Sequence, residues 1–221
     1  MRRLLICGME GRMGREVAAL AAEYGFDAAA FAPGADGEIV IDFSHPDCLD
    51  SLLRCSLPLV IGTTGHSGSQ ISSIQTAAEA RPILLSPNFS PGVYALTRAA
   101  RVLRGLLPGW DAALTECHHA AKRDAPSGTA RALASALAIP PDRVHSLRGG
   151  TVPGVHELAL LGPGEHITLR HAAEGRAVFA RGALAAARWL LVQPPGMYGM
   201  EDWMEAADSG PSSGGEGDAL S

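Results

Sequence analysis

Short apolar runs alternate with helical patterns through the first ninety residues. Apolar runs at 3–7, 38–43, 58–61 and 82–85 each end in a polar or glycine-bearing turn, and a segment with helical spacing follows each turn. Strands that alternate with helices in this way indicate a parallel sheet. The carboxyl ends of such strands lie at one edge of the sheet, where ligands bind. We therefore expect an α/β fold whose polar turns meet at a ligand site.

The pattern changes beyond residue 90. Helices are predicted at 91–107, 127–138, 182–191 and 200–206. Strand-like segments occur at 111–117, 143–147, 154–161, 166–171 and 176–180. Several of these segments alternate apolar and polar residues, as strands with one covered face do. This half of the chain is predicted to be an α+β domain with a mixed or mostly antiparallel sheet.

The first apolar run ends in a glycine-rich turn that reads Gly8-Met9-Glu10-Gly11-Arg12-Met13-Gly14. A strand, a glycine turn and a helix in that order form the phosphate-binding corner of a Rossmann-type dinucleotide-binding domain. The spacing is GxxGxxG instead of GxGxxG, but it meets the same needs, a tight turn and a close backbone approach to the pyrophosphate. An ordinary glycine-rich turn between a strand and a helix is the alternative.

The end of the second predicted strand bears on the choice of cofactor. NAD-binding domains carry an acidic residue there, which holds the ribose 2′-hydroxyl. In this chain Ala32-Pro33 occupies the position, and the next acid is Asp36 in a loop. Arg12 in the glycine turn could attract a 2′-phosphate. The pattern favours NADPH, or the use of both NADPH and NADH.

The stretch from Glu116 to Ala130 holds most of the candidate chemistry. It contains the titratable pair His118-His119 and the cation Lys122, and Asp124-Ala125-Pro126-Ser127 then predicts a helix start. The backbone amides of the first helical turn lack partners and bind carboxylate or phosphate readily, so Ser127, Gly128 and Thr129 are candidate anion ligands. These features predict a binding site for a small anionic substrate with a proton donor at its mouth.

Simpler interpretations exist for each of these residues. A His-His pair can be a strand end, and a capped helix start alone binds nothing. Cys117 could be a nucleophile beside His118, but adjacent residues of a strand point to opposite faces, which disfavours that role. His156 and His171 are interpreted first as residues of a sheet face.

Composition excludes several classes of function. The formal net charge of −5 does not suggest a nucleic-acid partner, and the four scattered cysteines contain no CxxC pair, so neither a metal site nor a disulfide framework is indicated. We expect neither a signal peptide nor a membrane span, because the sequence shows no leader-like pattern and no apolar run of sufficient length. A cytoplasmic location is the default expectation. The segment at 208–221, rich in glycine, serine and acid, is predicted to be disordered.

Several motifs in order carry a family resemblance. The glycine turn, Asp42-Phe43-Ser44, Gly62-Thr63-Thr64-Gly65, Asn88-Phe89-Ser90 and the pattern E-x-H-H-x-x-K-x-D-A-P-S-G-T-A from Glu116 resemble the dihydrodipicolinate reductase family. The resemblance extends from about residue 4 to 203. It implies a dinucleotide-binding domain at 1–91, completed by about 196–207, and a domain at 92–195 that binds substrate and forms a homotetramer through its sheet.

The resemblance also implies a reaction. A hydride would pass from NADPH or NADH to a cyclic imine dicarboxylate derived from 4-hydroxy-tetrahydrodipicolinate, in the biosynthesis of lysine and diaminopimelate. His118 would protonate the adjacent carbon, Lys122 would steady the developing charge, and His119 would hold the substrate together with the helix start. The implied cofactor contacts are Gly8, Met9, Glu10, Gly11, Arg12, Met13, Gly62, Thr63, Thr64, Ser86, Pro87, Asn88 and Phe89.

Two other functions remain open at this point. One is a different reductase on the same scaffold that acts on an amino-acid semialdehyde or another imine. The second is a non-catalytic nucleotide-binding or sensing protein. The arrangement His-His-x-x-Lys with Ser-Gly-Thr fits a dicarboxylate and argues against the first, whereas the presence of both His118 and Lys122 argues against the second.

Overall fold

The structure is a computed structural model that describes residues 1–208, and apart from Asp208 the predicted tail at 208–221 lies outside the described residues. The strands are β1 (Arg2–Cys7), β2 (Phe26–Ala30), β3 (Ile39–Asp42), β4 (Leu59–Ile61), β5 (Pro82–Leu85), β6 (Asp111–His118), β7 (Val144–Arg148), β8 (Gly154–Gly162), β9 (Glu165–Ala173) and β10 (Gly196–Tyr198). The helices are α1 (Arg12–Leu20), α2 (Leu49–Leu53), α3 (Gly68–Ala78), α4 (Pro91–Leu106), α5 (Gly128–Ala136), α6 (Ala177–Leu190) and α7 (Met200–Asp208). None of these helices is both long and apolar enough to cross a lipid bilayer.

Six strands form a parallel sheet in the order β10-β5-β4-β3-β1-β2. Every residue of β3 and β4 is buried, as expected for parallel strands that are covered on both faces. Leu4 and Ile6 face a core shared with α1 and α6, whereas Leu5 and Cys7 face a second core shared with α2 and α3. The predicted α/β fold with a parallel sheet is confirmed.

The strand predicted at 176–180 is wrong, because these residues form the start of α6. Val178 and Phe179 resemble strand residues, but the carbonyl oxygen of Arg176 accepts hydrogen bonds from the amides of Phe179 and Ala180 at 3.1 and 3.2 Å. Helix is favoured over strand because the buried residues recur at helical spacing, namely Ala180, Ala183, Leu184 and Ala187. They pack on the six-stranded sheet. The predicted domain limits stay a prediction, although α6 lies inside the range predicted for the second domain.

The second sheet has the order β7-β6-β8-β9. Strands β6 and β7 are parallel and the other pairs are antiparallel, so the predicted mixed sheet is confirmed. On one face Leu114 and Leu158 pack with Leu96 of α4 and Leu133 of α5. In the described part of the chain no helix packs on the opposite face, which carries alternate residues such as Thr115, Glu157, Leu161 and Arg170.

Candidate active site

The glycine turn after β1 is built around two close backbone contacts. Gly8 has a φ of +79°, and a Cβ atom there would lie 2.5 Å from the carbonyl oxygen of Phe43. A Cβ atom on Gly14 would lie 2.1 Å from the carbonyl oxygen of Gly8. Glycine at both positions therefore lets α1 begin directly against the end of β1. Gly11 caps α1 without a side-chain hydrogen bond, which leaves the first amides of the helix available to an anion.

A cleft opens where the chain order of the strands reverses, at the carboxyl ends of β1, β3 and β4, the place at which α/β sheets bind dinucleotides. Its volume is about 750 Å³. Of the predicted cofactor residues, the cleft is lined by Arg12, Met13, Gly62, Thr63 and Thr64. Thr63 also accepts a hydrogen bond from the amide of Ser44 at 2.8 Å, which joins the turns after β3 and β4.

The remaining predicted cofactor residues have other surroundings. Ser86, Pro87 and Asn88 line an adjacent cavity of about 320 Å³ between α4, α5 and the start of α7. Phe89 is 1% exposed and contacts the ring of Phe43 edge-on, with 5.8 Å between ring centroids, so its side chain belongs to the core. Three further residues lie in the turn itself, Gly8, Met9 and Gly11. Glu10 is exposed and pairs with Arg15 at 3.5 Å.

Two arginines line the cleft, and the one carboxylate that lines it in the described part of the chain, Asp47, lies 3.1 Å from His45. Arg12 lines one side, and Arg176, just before α6, lines it as well. Within residues 1–208 neither arginine forms an ion pair with a carboxylate. Burial lowers the pKa of His119, and the positive charges of Arg12 and Arg176 lower it further, so this histidine belongs to the same electrostatic environment. Cations without carboxylate partners suit the phosphates of a dinucleotide.

Glu116 on β6 is fully buried, and its carboxylate is surrounded by donors. The two Nη atoms of Arg148 donate to its two oxygens at 2.9 and 2.7 Å, and the amide of Ser127 donates to Oε1 at 3.2 Å. A short hydrogen bond joins Oε2 to Nδ1 of His118. Burial alone would raise the pKa of Glu116, but the hydrogen bonds from Arg148 and His118 outweigh it and lower the pKa to about 2.

The ionised carboxylate fixes the orientation of His118. An ionised carboxylate can only accept a hydrogen bond, so Nδ1 of His118 must carry the hydrogen. Nε2 is therefore the nitrogen that Glu116 does not bind. Nε2 lies near Gly154, where a Cβ atom would come within 3.1 Å of it. The ring of His156 packs edge-on to His118 at 5.3 Å between centroids. Burial lowers the pKa of His118, and Glu116 counteracts that effect.

Helix α5 begins at Gly128, with Ser127 as its cap, close to the predicted start. The Ser127 hydroxyl accepts a hydrogen bond from the amide of Ala130 at 3.1 Å and lies 3.4 Å from Nε2 of His156. Since Glu116 already binds the amide of Ser127, the amides that have no acceptor in the described residues are those of Gly128 and Thr129.

The start of α5 faces the loops of the first sheet. Asn88 Nδ2 donates to Oγ1 of Thr129 at 2.8 Å. A Cβ atom on Gly128 would lie 3.7 Å from carbons of both Thr64 and Pro87. The predicted anion-binding helix start therefore borders the predicted cofactor loops.

Lys122 lies between the histidine pair and α5. Its Nζ pairs with Asp124 Oδ1 at 2.8 Å, and 24% of its side chain is exposed. Its charge also contributes to the lowered pKa of His118, after burial. A cation close to the predicted proton donor can stabilise negative charge that develops on a bound substrate.

Two family models match this chain. Their descriptions are "Dihydrodipicolinate reductase, N-terminus", which matches residues 27–89, and "Dihydrodipicolinate reductase, C-terminus", which matches residues 92–204. The chain belongs to the dihydrodipicolinate reductase family. The predicted family and the predicted class, an NAD(P)H-dependent oxidoreductase, are confirmed.

Related proteins agree with this assignment. The 4-hydroxy-tetrahydrodipicolinate reductase of Stenotrophomonas maltophilia is 39% identical over 92% of this chain and 98% of the relative. The enzyme of that name from Caldanaerobacter subterraneus subsp. tengcongensis is 35% identical over 91% of this chain and 98% of its own length. Among solved structures, the dipicolinate-bound dihydrodipicolinate reductase of Paenisporosarcina sp. TG-14 has a TM-score of 0.72 at 22% identity, covering 91% of this chain and 99% of that chain. This last similarity supports the fold.

The structure adds residues to this family site that the sequence patterns did not single out. Arg148, Arg176 and Gly154 are adjacent to predicted site residues but lie far from them in sequence. Glu116 could have been found, because it lies two positions before His118 on a strand and must therefore share its face. Arg148 had no such signal, since only the parallel pairing of β7 with β6 places it opposite His118.

Proposed function

We propose that the buried Glu116–His118 pair and the free amides of α5 together form the reaction site of a 4-hydroxy-tetrahydrodipicolinate reductase. The chain reduces dihydrodipicolinate, which forms from 4-hydroxy-tetrahydrodipicolinate, to tetrahydrodipicolinate in the lysine and diaminopimelate pathway. The observation that carries this proposal is spatial. Glu116 bonds both to the candidate proton donor His118 and to the cap of α5, and the start of α5 lies next to Thr64, which lines the dinucleotide cleft.

The start of α5 binds one carboxylate of the substrate. Gly128 and Thr129 supply backbone amides, and the positive end of the helix dipole adds to their attraction. Lys122 and His119 contact the rest of the dianion. The relative from Paenisporosarcina sp. TG-14 was solved with dipicolinate, a planar cyclic dicarboxylate, and a ligand of this shape and charge fits the same arrangement of donors.

His118 supplies the proton. A bound nicotinamide would supply the hydride taken up at C4 of the conjugated imine, and the imidazolium of His118 would donate the proton that the neighbouring carbon takes up. The neutral imidazole that remains keeps Nδ1–H on Glu116 and regains its proton from solvent. Orientation by the bound carboxylates decides which carbon meets the hydride.

The 750 Å³ cleft would hold the cofactor, and the first amides of α1 would bind its pyrophosphate. Strand β2 ends at Ala30 without an acid, and Asp36 is exposed in the following loop. No carboxylate there repels a 2′-phosphate, and Arg12 attracts one. The site therefore accepts NADPH at least as well as NADH.

The outer face of the second sheet is the proposed surface for a homotetramer. Its uncovered strands present apolar and paired charged side chains, among them Leu161, which is 45% exposed, and the Glu157–Arg170 pair at 3.7 Å. Sedimentation equilibrium tests this assembly, and a monomer would contradict it. The four free cysteines suit a reducing cytoplasm, the proposed location, which cell fractionation would test.

The remaining alternatives make different predictions. A reductase for a semialdehyde would not need the helix-start amides of α5 beside its proton donor. A nucleotide sensor would bind NADPH without turnover. The buried pairing of His118 with a carboxylate favours catalysis over sensing, because it orients a titratable group beside the start of α5, where a substrate carboxylate would bind.

A coupled assay tests the proposed function. Purified protein is mixed with dihydrodipicolinate synthase, pyruvate and aspartate semialdehyde, and loss of NADPH or NADH absorbance is followed in parallel. Oxidation that requires the synthase is the expected result, and the ratio of the two rates gives the cofactor preference. A folded protein that binds NADPH but oxidises neither cofactor would contradict the proposal.

A further inference from the structure

We infer that Glu116 is the positioning residue of this site, with one buried carboxylate holding both the proton donor and the anion-binding helix. The role rests on the proposed function, in which His118 donates the proton and α5 binds a carboxylate. Neither the family signature nor the comparisons assign it.

The two oxygens of Glu116 serve different parts of the site. Oε2 accepts from Nδ1 of His118, which shares its face of β6. Oε1 accepts from the amide of Ser127, the cap of α5, at 3.2 Å. A shift of this carboxylate would therefore move the histidine and the helix start together.

Arg148 keeps the carboxylate ionised and in place. Its two Nη atoms donate to both oxygens of Glu116, a bidentate geometry that fixes the plane of the carboxylate. Nη2 also donates to the carbonyl oxygen of Asp124 at 2.6 Å. This second bond ties down the loop that carries Lys122, so the substrate-binding loop and the proton donor share one anchor.

The charges around His118 have opposite effects on its protonation. Glu116 faces it from its own strand, Arg148 from β7 and His156 from β8, and His119 and Lys122 belong to the segment that follows. Glu116 raises the pKa of His118 against the effect of burial, whereas Arg148 and Lys122 lower it. Glu116 and Arg148 bind each other, yet Glu116 raises the pKa of the His118 imidazole and Arg148 lowers it.

This opposition gives a test that general structural damage cannot reproduce. Protein with ¹⁵N-labelled histidine is prepared as wild type, Glu116→Gln and Arg148→Gln, and the His118 resonances are followed across pH by NMR. In wild type the hydrogen is on Nδ1. We expect the pH midpoint of the His118 titration to fall by on the order of one pH unit in Glu116→Gln. In Arg148→Gln the midpoint should rise, because the carboxylate of Glu116 then keeps only His118 as its countercharge.

Turnover should follow the same signs. His118 must be protonated to donate, so activity declines as pH rises through its pKa. The declining limb of kcat should move to lower pH in Glu116→Gln and to higher pH in Arg148→Gln. At pH 7 the first variant should lose roughly tenfold in kcat, because a midpoint one pH unit lower leaves a tenfold smaller protonated fraction.

Two further variants keep the test decisive. Glu157→Gln removes a carboxylate on the outer face of the same sheet, where it pairs with Arg170 at 3.7 Å, and it should leave the His118 midpoint and the pH limb of kcat unchanged. Glu116→Asp keeps the charge but shortens the side chain, so kcat should fall while the pH limb stays close to wild type. If Glu116→Gln does not fold, the other two variants still give different predictions, a shift of the pH limb to higher pH in Arg148→Gln and an unchanged limb in Glu116→Asp.

Equal midpoints in wild type and both variants, or shifts in the same direction, would overturn the positioning role. The NMR titration needs no turnover, so it separates this inference from the proposed function. Opposite shifts in a protein that fails the coupled assay would leave the positioning role intact and overturn the reaction. Turnover in the coupled assay with unchanged His118 midpoints would overturn the positioning role and leave the proposed reaction intact.

Discussion

The two halves of the site handle charge in opposite ways. In the cofactor cleft, Arg12 and Arg176 form no ion pair with a carboxylate of the described chain. In the substrate half, Glu116 and His118 are buried and bonded to each other, and Arg148 completes the network. One half leaves its cations free, whereas the other encloses its charges in hydrogen bonds.

The difference reflects what each half binds. A dinucleotide carries permanent phosphate charges, so free arginines become paired when it arrives. In the proposed reaction, proton transfer instead changes the charge of His118. A fixed carboxylate stabilises that changing charge without rearranging, which is how preorganised groups lower a barrier. The comparison predicts that changes in the cleft alter coenzyme affinity and that changes in the buried network alter protonation and kcat.

The first prediction, a large effect on coenzyme affinity, tests the cofactor half. Gly14→Ala places a methyl group 2.1 Å from the Gly8 carbonyl oxygen, so the turn must move away from the pyrophosphate. Overpacking costs up to ~3 kcal/mol, which corresponds to roughly a hundredfold weaker NADPH binding by calorimetric titration. Gly105→Ala in α4 is the control, since nothing lies within 4 Å of its Cβ position. Equal affinities in the two variants would show that the turn does not hold the cofactor.

The second prediction concerns the stability of the buried half. The pKa of His156 is lowered from its ordinary value of 6.5 to about 4, mainly by burial and next by the charge of His118. Between those pH values the unfolded chain binds a proton that the folded chain does not. Neutral His156 therefore makes its full contribution to the free energy of unfolding above pH 6.5. That contribution decreases by about 3 kcal/mol as the pH falls from 6.5 to 4.

Urea unfolding at several pH values measures this loss. His156→Gln should remove most of it, whereas His145→Gln, on the exposed side of β7, should retain the wild-type profile. Parallel profiles for wild type and His156→Gln would refute the prediction.

A smaller effect tests the free cations. Arg12→Leu should weaken NADPH binding about tenfold, the size of one charge-assisted hydrogen bond, and weaken NADH binding less. The control is Arg15→Leu one turn along α1, because Arg15 already pairs with Glu10 at 3.5 Å. Equal losses for both coenzymes would place Arg12 at the shared pyrophosphate and not at a 2′-phosphate.

The smallest expected effect tests the position of the His118 ring in the buried half. Gly154→Ala places a methyl group 3.1 Å from Nε2 of His118, close enough to turn the ring by a few tenths of an ångström. We expect kcat to fall by about threefold to tenfold with the coenzyme KM unchanged. Gly149→Ala has open space around its Cβ position and serves as the control. An unchanged kcat would mean that the position of Nε2 is not critical.

Local signals predicted much of this architecture. The turn after β1, the strands of the parallel sheet and the start of α5 at Ser127 all follow from residues that are close in sequence. The start of α6 was mistaken for a strand, since Val178 and Phe179 favour strands locally and only packing on the sheet selects the helix. Arg148 and Arg176 reach the site through pairing and packing that no local pattern encodes.

The central claim, that His118 donates the proton, is tested most directly by steady-state kinetics of His118→Ala in the coupled assay with saturating NADPH. His166→Ala, an exposed histidine on β9, is the matched control. We predict that kcat falls about 10²- to 10⁴-fold while the substrate KM changes little, as expected when a general acid is lost. A variant that keeps its kcat and loses only substrate affinity would contradict the claim and would move the proton donor to another residue.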